Sequence, residues 1–134
     1  MTLVEVVVSM AITGVVMGGI IIGYIFCTTS AERAALSLAA HARAMERLEE
    51  TRSAKWDTAS WPVVDCLFAT NFPGKVVTLD LSGSGAGTTP ATIQTEITQI
   101  SANPPLKRIR VDCIWKFKGQ SVTNTIETCR APDQ

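Results

Sequence analysis

The first 27 residues, MTLVEVVVSMAITGVVMGGIIIGYIFC, hold a single charged side chain, Glu5, and the next charge does not come until Glu32. About 20 apolar residues suffice to span the ~30 Å hydrocarbon core of a bilayer, so this segment is long enough to cross one as a helix. A carboxylate inside such a span costs about 2.5–3.5 kcal/mol on insertion scales. A neutral residue at position 5 would remove that cost, so Glu5 asks for a partner charge. The candidate is a free α-amino group at Met1. In a straight helix the N–H groups of residues 1–4 run along the axis without good reach to the Glu5 carboxylate, so the expected partner is the amine of a neighbouring copy. A plain single-pass anchor is the alternative, and Glu5 counts against it.

Met1-Thr2-Leu3-Val4-Glu5-Val6, opening an unbroken apolar helix, resembles the mature N-terminus of type IV pilins and of the related pseudopilins of type II secretion. The resemblance is sharp over residues 1 to 30 and architectural beyond them. It implies cleavage of a basic leader by a prepilin peptidase, N-methylation at Met1, and residence in the inner membrane before assembly. An assembly machinery then builds identical subunits into a helical filament at the cell surface. Met1, Thr2 and Glu5 become the assembly residues, with Glu5 pairing the Met1 amine of a neighbour and Thr2 adding a hydrogen bond. Two departures stand out. The first residue is Met rather than the commoner Phe, and Ile22 stands where the family often has Pro. No basic leader precedes the apolar run, so the chain reads as numbered from its mature end.

At 134 residues the chain has room for one small domain beside its helical stem. Twelve basic residues balance 12 acidic ones, so bulk charge predicts no nucleic-acid partner. The expected fold class is α+β: residues 1–29 as an apolar, projecting membrane or filament-core helix, and residues 30–134 as a globular domain. In that domain an amphipathic helix over 30–56 packs on an antiparallel sheet drawn from 75–129. The resemblance implies the same lollipop arrangement.

Gly14, Gly18, Gly19 and Gly23 cluster in the first half of the helix, each costing up to about 1 kcal/mol against Ala. Gly14 and Gly18 have the spacing that lets two membrane helices approach closely. The competing reading, implied by the resemblance, is a segment that gives up helical hydrogen bonds on assembly. In the second half, Ala34, Leu38, Ala42, Met45, Leu48 and Trp56 share a face expected to cover the sheet, with Glu32, Arg33, Arg43, Glu46, Arg47, Glu50 and Arg52 elsewhere. Pro62 and Asn71-Phe72-Pro73-Gly74 mark a connecting region, and a flexible turn is expected over Ser82–Pro90. Strands are expected over Lys75–Leu81, Thr92–Ile100, Leu106–Phe117 and Ser121–Cys129. In the third, Ile109, Val111, Cys113, Trp115 and Phe117 alternate with Arg108, Arg110, Asp112, Lys116 and Lys118.

Cys66, Cys113 and Cys129 lie outside the apolar segment, and an extracytoplasmic domain favours a disulfide among them. A hairpin closed at Gly119-Gln120 would set Lys118 against Ser121, Cys113 against Ile126 and Cys129 near Arg110. Cys113 and Cys129 would then stand ~10 Å apart at strand rise, beyond disulfide reach. Cys66 is left as the partner of one of them, with a lean to Cys129 and with Cys113 as a small buried residue. Cys27 packs within the anchor.

No nucleophile and base fall together, and the glycines from Gly83 to Gly87 lack P-loop spacing and a lysine. His41, the only histidine, has no second ligand at metal spacing and reads as a surface residue. Asp57, Asp65, Asp80 and Asp112 lack a calcium-loop pattern. Lys107, Arg108, Arg110, Lys116 and Lys118 make a possible basic surface that is read as a solvated sheet face. The chain is thus expected to be a structural subunit of a type IV pilus-like filament, with no catalytic site, metal or cofactor. The alternatives are a pseudopilin of a secretion machine or a minor pilin that binds DNA or a surface.

Overall fold

The computed structural model describes residues 2–79 and 88–133. One helix, α1 (Leu3–Ser53), is followed by two short strands, β1 (Trp56–Asp57) and β2 (Val64–Asp65), and a 3-10 turn at Ala69–Asn71. Four longer strands complete the fold: β3 (Lys75–Leu79), β4 (Thr89–Ala102), β5 (Pro105–Phe117) and β6 (Gln120–Arg130). The architecture is α+β, a long N-terminal helix followed by a small antiparallel sheet. The chain forms two compact units, Met1–Ala34 and Ala35–Gln134. The first is helix alone. Nearly all its described side chains are exposed, including Leu3, Val6, Met10, Val15, Ile20 and Phe26. By length and composition α1 can cross a membrane.

In the second unit β3 to β6 form one sheet in chain order, every pair antiparallel. Alternation along β5 decides its faces: Ile109, Val111, Cys113 and Trp115 are buried, as are Ala91 and Ile93 on β4. Against them α1 buries Leu36, Ala40, Ala44, Leu48 and Thr51, four successive steps of four, four, four and three residues on one helical face.

This stripe corrects the expected one, of which only Leu48 and Trp56 are buried. Leu38 and Met45 are 72% and 40% exposed, and Ala34 and Ala42 lie on the surface. The reason is volume. The sheet presents Trp115, Ile93, Ile109 and Val111 at the contact, and close packing then favours small residues opposite, which Ala40 and Ala44 supply. Helix and sheet are also joined by polar contacts. Trp115 Nε1 donates to Asn124 Oδ1 at 2.9 Å, and Asn124 Nδ2 donates to Ser37 Oγ at 2.9 Å. Arg47 Nε donates to Thr95 Oγ1 at 3.2 Å.

The β5–β6 hairpin turns at Lys118-Gly119, with φ of 48° and 83°. Positive φ at both central residues is the two-residue turn that matches strand twist, and Gly119 supplies one of the two positions without strain. The expected turn at Gly119-Gln120 lay one residue later. Lys116 therefore pairs with Ser121, Cys113 with Asn124 and Cys129 with Arg108. The connecting region after α1 is fastened at both ends. Cys66 N donates to Lys55 O at 2.8 Å, and the C-terminal Asp133 N donates to Trp56 O at 2.7 Å. Trp56 N in turn donates to Asp133 Oδ2 at 2.9 Å, and Arg130 donates to Thr51 O at 2.9 Å and to Asp133 Oδ1 at 2.7 Å. The residues of the expected turn from Ser82 to Gly87, and Asp80 and Leu81 before it, lie outside the described residues.

Candidate assembly interface

The helix opens at Thr2, whose carbonyl accepts the N–H of Glu5 at 3.0 Å and of Val6 at 3.4 Å. Thr2 N donates to Glu5 Oε2 at 3.3 Å. Thr2-Leu3-Val4-Glu5 thus carries one half of a capping box, in which an acidic residue at the third helical position reaches back to the N-cap N–H. The expectation that no N–H of the same chain reaches Glu5 is corrected, because the N-cap residue lies outside the helical spiral and its amide turns toward the side chain. The S/T-x-x-E signature was present in the sequence. Met1, the expected source of the partner amine and the site of N-methylation, lies outside the described residues.

Glu5, Ser9 and Thr13 follow at four-residue intervals and line, with Val6 and Met10, a shallow groove on one helical face. The two hydroxyls are satisfied within the helix: Ser9 Oγ donates to Glu5 O and Thr13 Oγ1 to Ser9 O, both at 2.8 Å. The carboxylate is the one charged group here and retains acceptor capacity for a cationic partner. A Cβ built on Gly14, Gly18, Gly19 or Gly23 meets no atom within 4 Å, so nothing in the single chain requires glycine there. What these positions leave open is the helix backbone itself, at two further spacings of four, Gly14 to Gly18 and Gly19 to Gly23.

The possible basic surface is divided. Arg110 Nε lies 3.0 Å from Asp112 and 3.7 Å from Glu127, and its guanidinium is held even more firmly protonated by the Asp112 hydrogen bond. Arg108 and Lys116 face outward, while Lys118 sits in the hairpin turn with Nζ 5.7 Å from the Phe117 ring. Lys107 faces inward. Its Nζ meets Asp65 Oδ2 at 2.6 Å and Leu67 O at 2.8 Å, and stands 4.5 Å and 4.8 Å from the ring centres of Phe68 and Trp56. Its place was legible in the alternation: residue 107 is in phase with 109, 111 and 113. Of the carboxylates considered for calcium, Asp80 lies outside the described residues, and Asp57, Asp65 and Asp112 are otherwise engaged. Asp57 accepts the N–H groups of Ala59 and Ser60, which lowers its pKa, and Asp112 accepts from Arg110 and Thr125. Among the described residues no three His, Cys, Asp or Glu side chains gather as for a metal.

All four cysteines are free thiols. Cys113 is buried on the helix-facing side of β5, and desolvation pushes its pKa up. Cys129 lies opposite Arg108 on the other face, five positions along the ladder from Cys113's partner Asn124, so a Cys113–Cys129 bridge is ruled out more firmly than expected. The Cys66–Cys129 bridge toward which the spacing leaned is not formed. Cys27 is exposed on the bare helix.

No protein-family model, curated protein or solved structure matches the chain.

Proposed function

We propose that the chain is a structural subunit of a type IV pilus-like filament, held in the inner membrane by the first half of α1 and assembled at the cell surface with identical copies. The observation that carries this reading is Glu5, a carboxylate on an otherwise apolar and uncovered helix, with acceptor capacity left after its bond to Thr2 N. In lipid that carboxylate is costly, and in a bundle of apolar helices a neighbour's Met1 amine would neutralise it and set the axial register. Prepilin peptidase and N-methylation at Met1, with an assembly machinery to extract the subunit, belong to the same reading.

Two features of the helix support it. Gly14, Gly18, Gly19 and Gly23 leave the backbone accessible to a neighbouring helix. In the sheet-bearing unit Leu38, Ala42 and Met45 form a second apolar stripe that the sheet leaves uncovered, so α1 has apolar surface to offer a neighbour there too. The role is structural rather than catalytic, with no cofactor. Cryo-microscopy of material sheared from cells, with mass spectrometry of the first peptide, tests the proposal. Fibres built of this chain with a methylated Met1 amine are the expected result. A chain that stays monomeric in the membrane, with an unmodified N-terminus, overturns it.

A further inference from the structure

Glu5 and Tyr24 stand about 28 Å apart along the axis of α1, at a rise of about 1.5 Å per residue. That nearly equals the hydrocarbon thickness of a bilayer, about 30 Å. Tyr24 is 70% exposed, and an amphipathic tyrosine ring settles at the membrane–water interface. With Tyr24 at one boundary, the Glu5 carboxylate comes to the other, at the level of the lipid headgroups. The ion pairs among the described residues all lie between Arg43 and Asp133, so none of them neutralises Glu5.

From Glu5 toward the middle of the span the surface changes character. The groove continues along Val6, Ser9, Met10 and Thr13, about 12 Å at the helical rise. Ser9 Oγ and Thr13 Oγ1 both donate to carbonyls of their own helix, so what they offer a neighbour is mainly carbon. The groove is therefore anionic at one end and apolar along the rest. A small soluble cation matches only the first part, whereas an amphiphile with a cationic head and a hydrocarbon tail matches both. Glu5 Oε2 takes one bond from Thr2 N, and a carboxylate has about four acceptor sites, so it can still receive the N–H donors of an ammonium.

We infer that in the subunit before assembly Glu5 binds the primary ammonium of a phosphatidylethanolamine headgroup, with an acyl chain of that lipid lying along Val6, Met10 and Thr13. The membrane then supplies the cation that the carboxylate requires, at the depth where the helix places it. The lipid ammonium and the terminal amine of a neighbouring copy are chemically alike, each a nitrogen cation leading an apolar stem. Assembly on this scheme exchanges one for the other and at no stage strands the carboxylate in an apolar bundle. The inference deepens the filament reading and rests on it only for placing α1 in a membrane.

The test reconstitutes the full chain in vesicles of phosphatidylethanolamine and phosphatidylglycerol and adds dicyclohexylcarbodiimide. This reagent condenses a carboxylate with an amine in contact, forming an amide and leaving a urea. Trypsin releases the peptide ending at Arg33, and mass spectrometry locates attached lipid on Glu5 or Glu32. A phosphatidylethanolamine amide on Glu5 is expected, and Glu5→Gln removes it. In the double variant Val4→Glu/Glu5→Gln, which keeps a carboxylate at nearly the same depth but off the groove, lipid coupling should fall about five-fold. Equal coupling from the moved carboxylate overturns the inference. So does coupling of Glu5 to a Met1 amine in place of lipid, or no coupling at all. Fibres from wild-type cells without lipid coupling sink this contact and leave the filament reading; the lipid amide on Glu5 with no fibres does the reverse.

Discussion

Thr2 N and Glu5 Oε2 stand 3.3 Å apart, so the carboxylate that most strains the apolar helix also closes its first turn. Glu5 therefore has two tasks that can be separated by chemistry. A side-chain amide retains the capping function, since Gln serves at that position as well as Glu, but it carries no charge for a neighbour's amine. In the waiting subunit the local bond answers part of the carboxylate's hydrogen-bonding demand, and the ionic demand remains.

Glu5→Gln should consequently leave the protein in the membrane at wild-type levels with its first helical turn intact, and abolish fibre growth. Glu5→Ala should abolish growth and also fray the first turn, visible as faster amide exchange at Glu5-equivalent and neighbouring positions. Wild-type fibre yield from Glu5→Gln, measured by shearing and immunoblot, would refute the charge pairing.

Lys107 is a buried cation held by a carboxylate, a carbonyl and two aromatic rings. Lys107→Ala should destabilise the sheet-bearing unit by about 3 kcal/mol, the lower end of the range for breaking a buried pair, because Asp65 keeps partial access to water. Lys107→Met, which keeps the packed stem, should cost less. Thermal unfolding of the full chain in detergent, followed by tryptophan fluorescence, reads both.

Asn124 accepts the Trp115 indole N–H and also donates to Ser37. Asn124→Leu should leave that buried N–H unpaired and cost about 1–3 kcal/mol in the same unfolding measurement. Thr123→Leu, one residue away on the outer face, should be nearly silent.

The Asp133 pKa is lowered, first by the N–H of Trp56 and then by Arg130. A carboxylate with a folded pKa below its unfolded value of about 3.9 stabilises the fold above that value, and this contribution is lost as pH falls through the folded pKa. The melting temperature of wild type should thus drop between about pH 4 and lower pH, and Asp133→Asn should show a lower plateau at pH 7 with a shallower acid decline. Identical pH profiles for the two proteins would count against the contact.

Cys66 and Cys129 should alkylate readily in the native full chain in detergent, whereas Cys113, buried and with a raised pKa, should react only on unfolding. Mass spectrometry of the labelled peptides distinguishes them. Protection of Cys66 and Cys129 that a reductant removes would instead reveal the bridge between them.

Much of the fold was legible because the signals were periodic and long. The uncharged run before Glu32 announced the helix, and strict alternation from Ile109 to Trp115 announced a half-buried strand. Phase was harder. The helix meets the sheet through Ala40 and Ala44, and alanine carries too little apolar weight to reveal a buried face beside the larger Leu38 and Met45. The hairpin register slipped because Lys118 adopts positive φ, which a side-chain-bearing residue seldom signals. Of the candidate interface, Glu5 was found by its cost in an apolar setting. Its local bond to Thr2 was less legible, because the N-cap amide leaves the helical spiral and the capping pattern is only four residues long.

The final residues return to the point where α1 ends, with Asp133 clasping both backbone polar groups of Trp56 and Arg130 holding the carbonyl of Thr51. Helix exit and the segment after β6 are sewn together by one seam. Replacing Arg130 and Asp133 together would unpick that seam from both sides and free the helix exit.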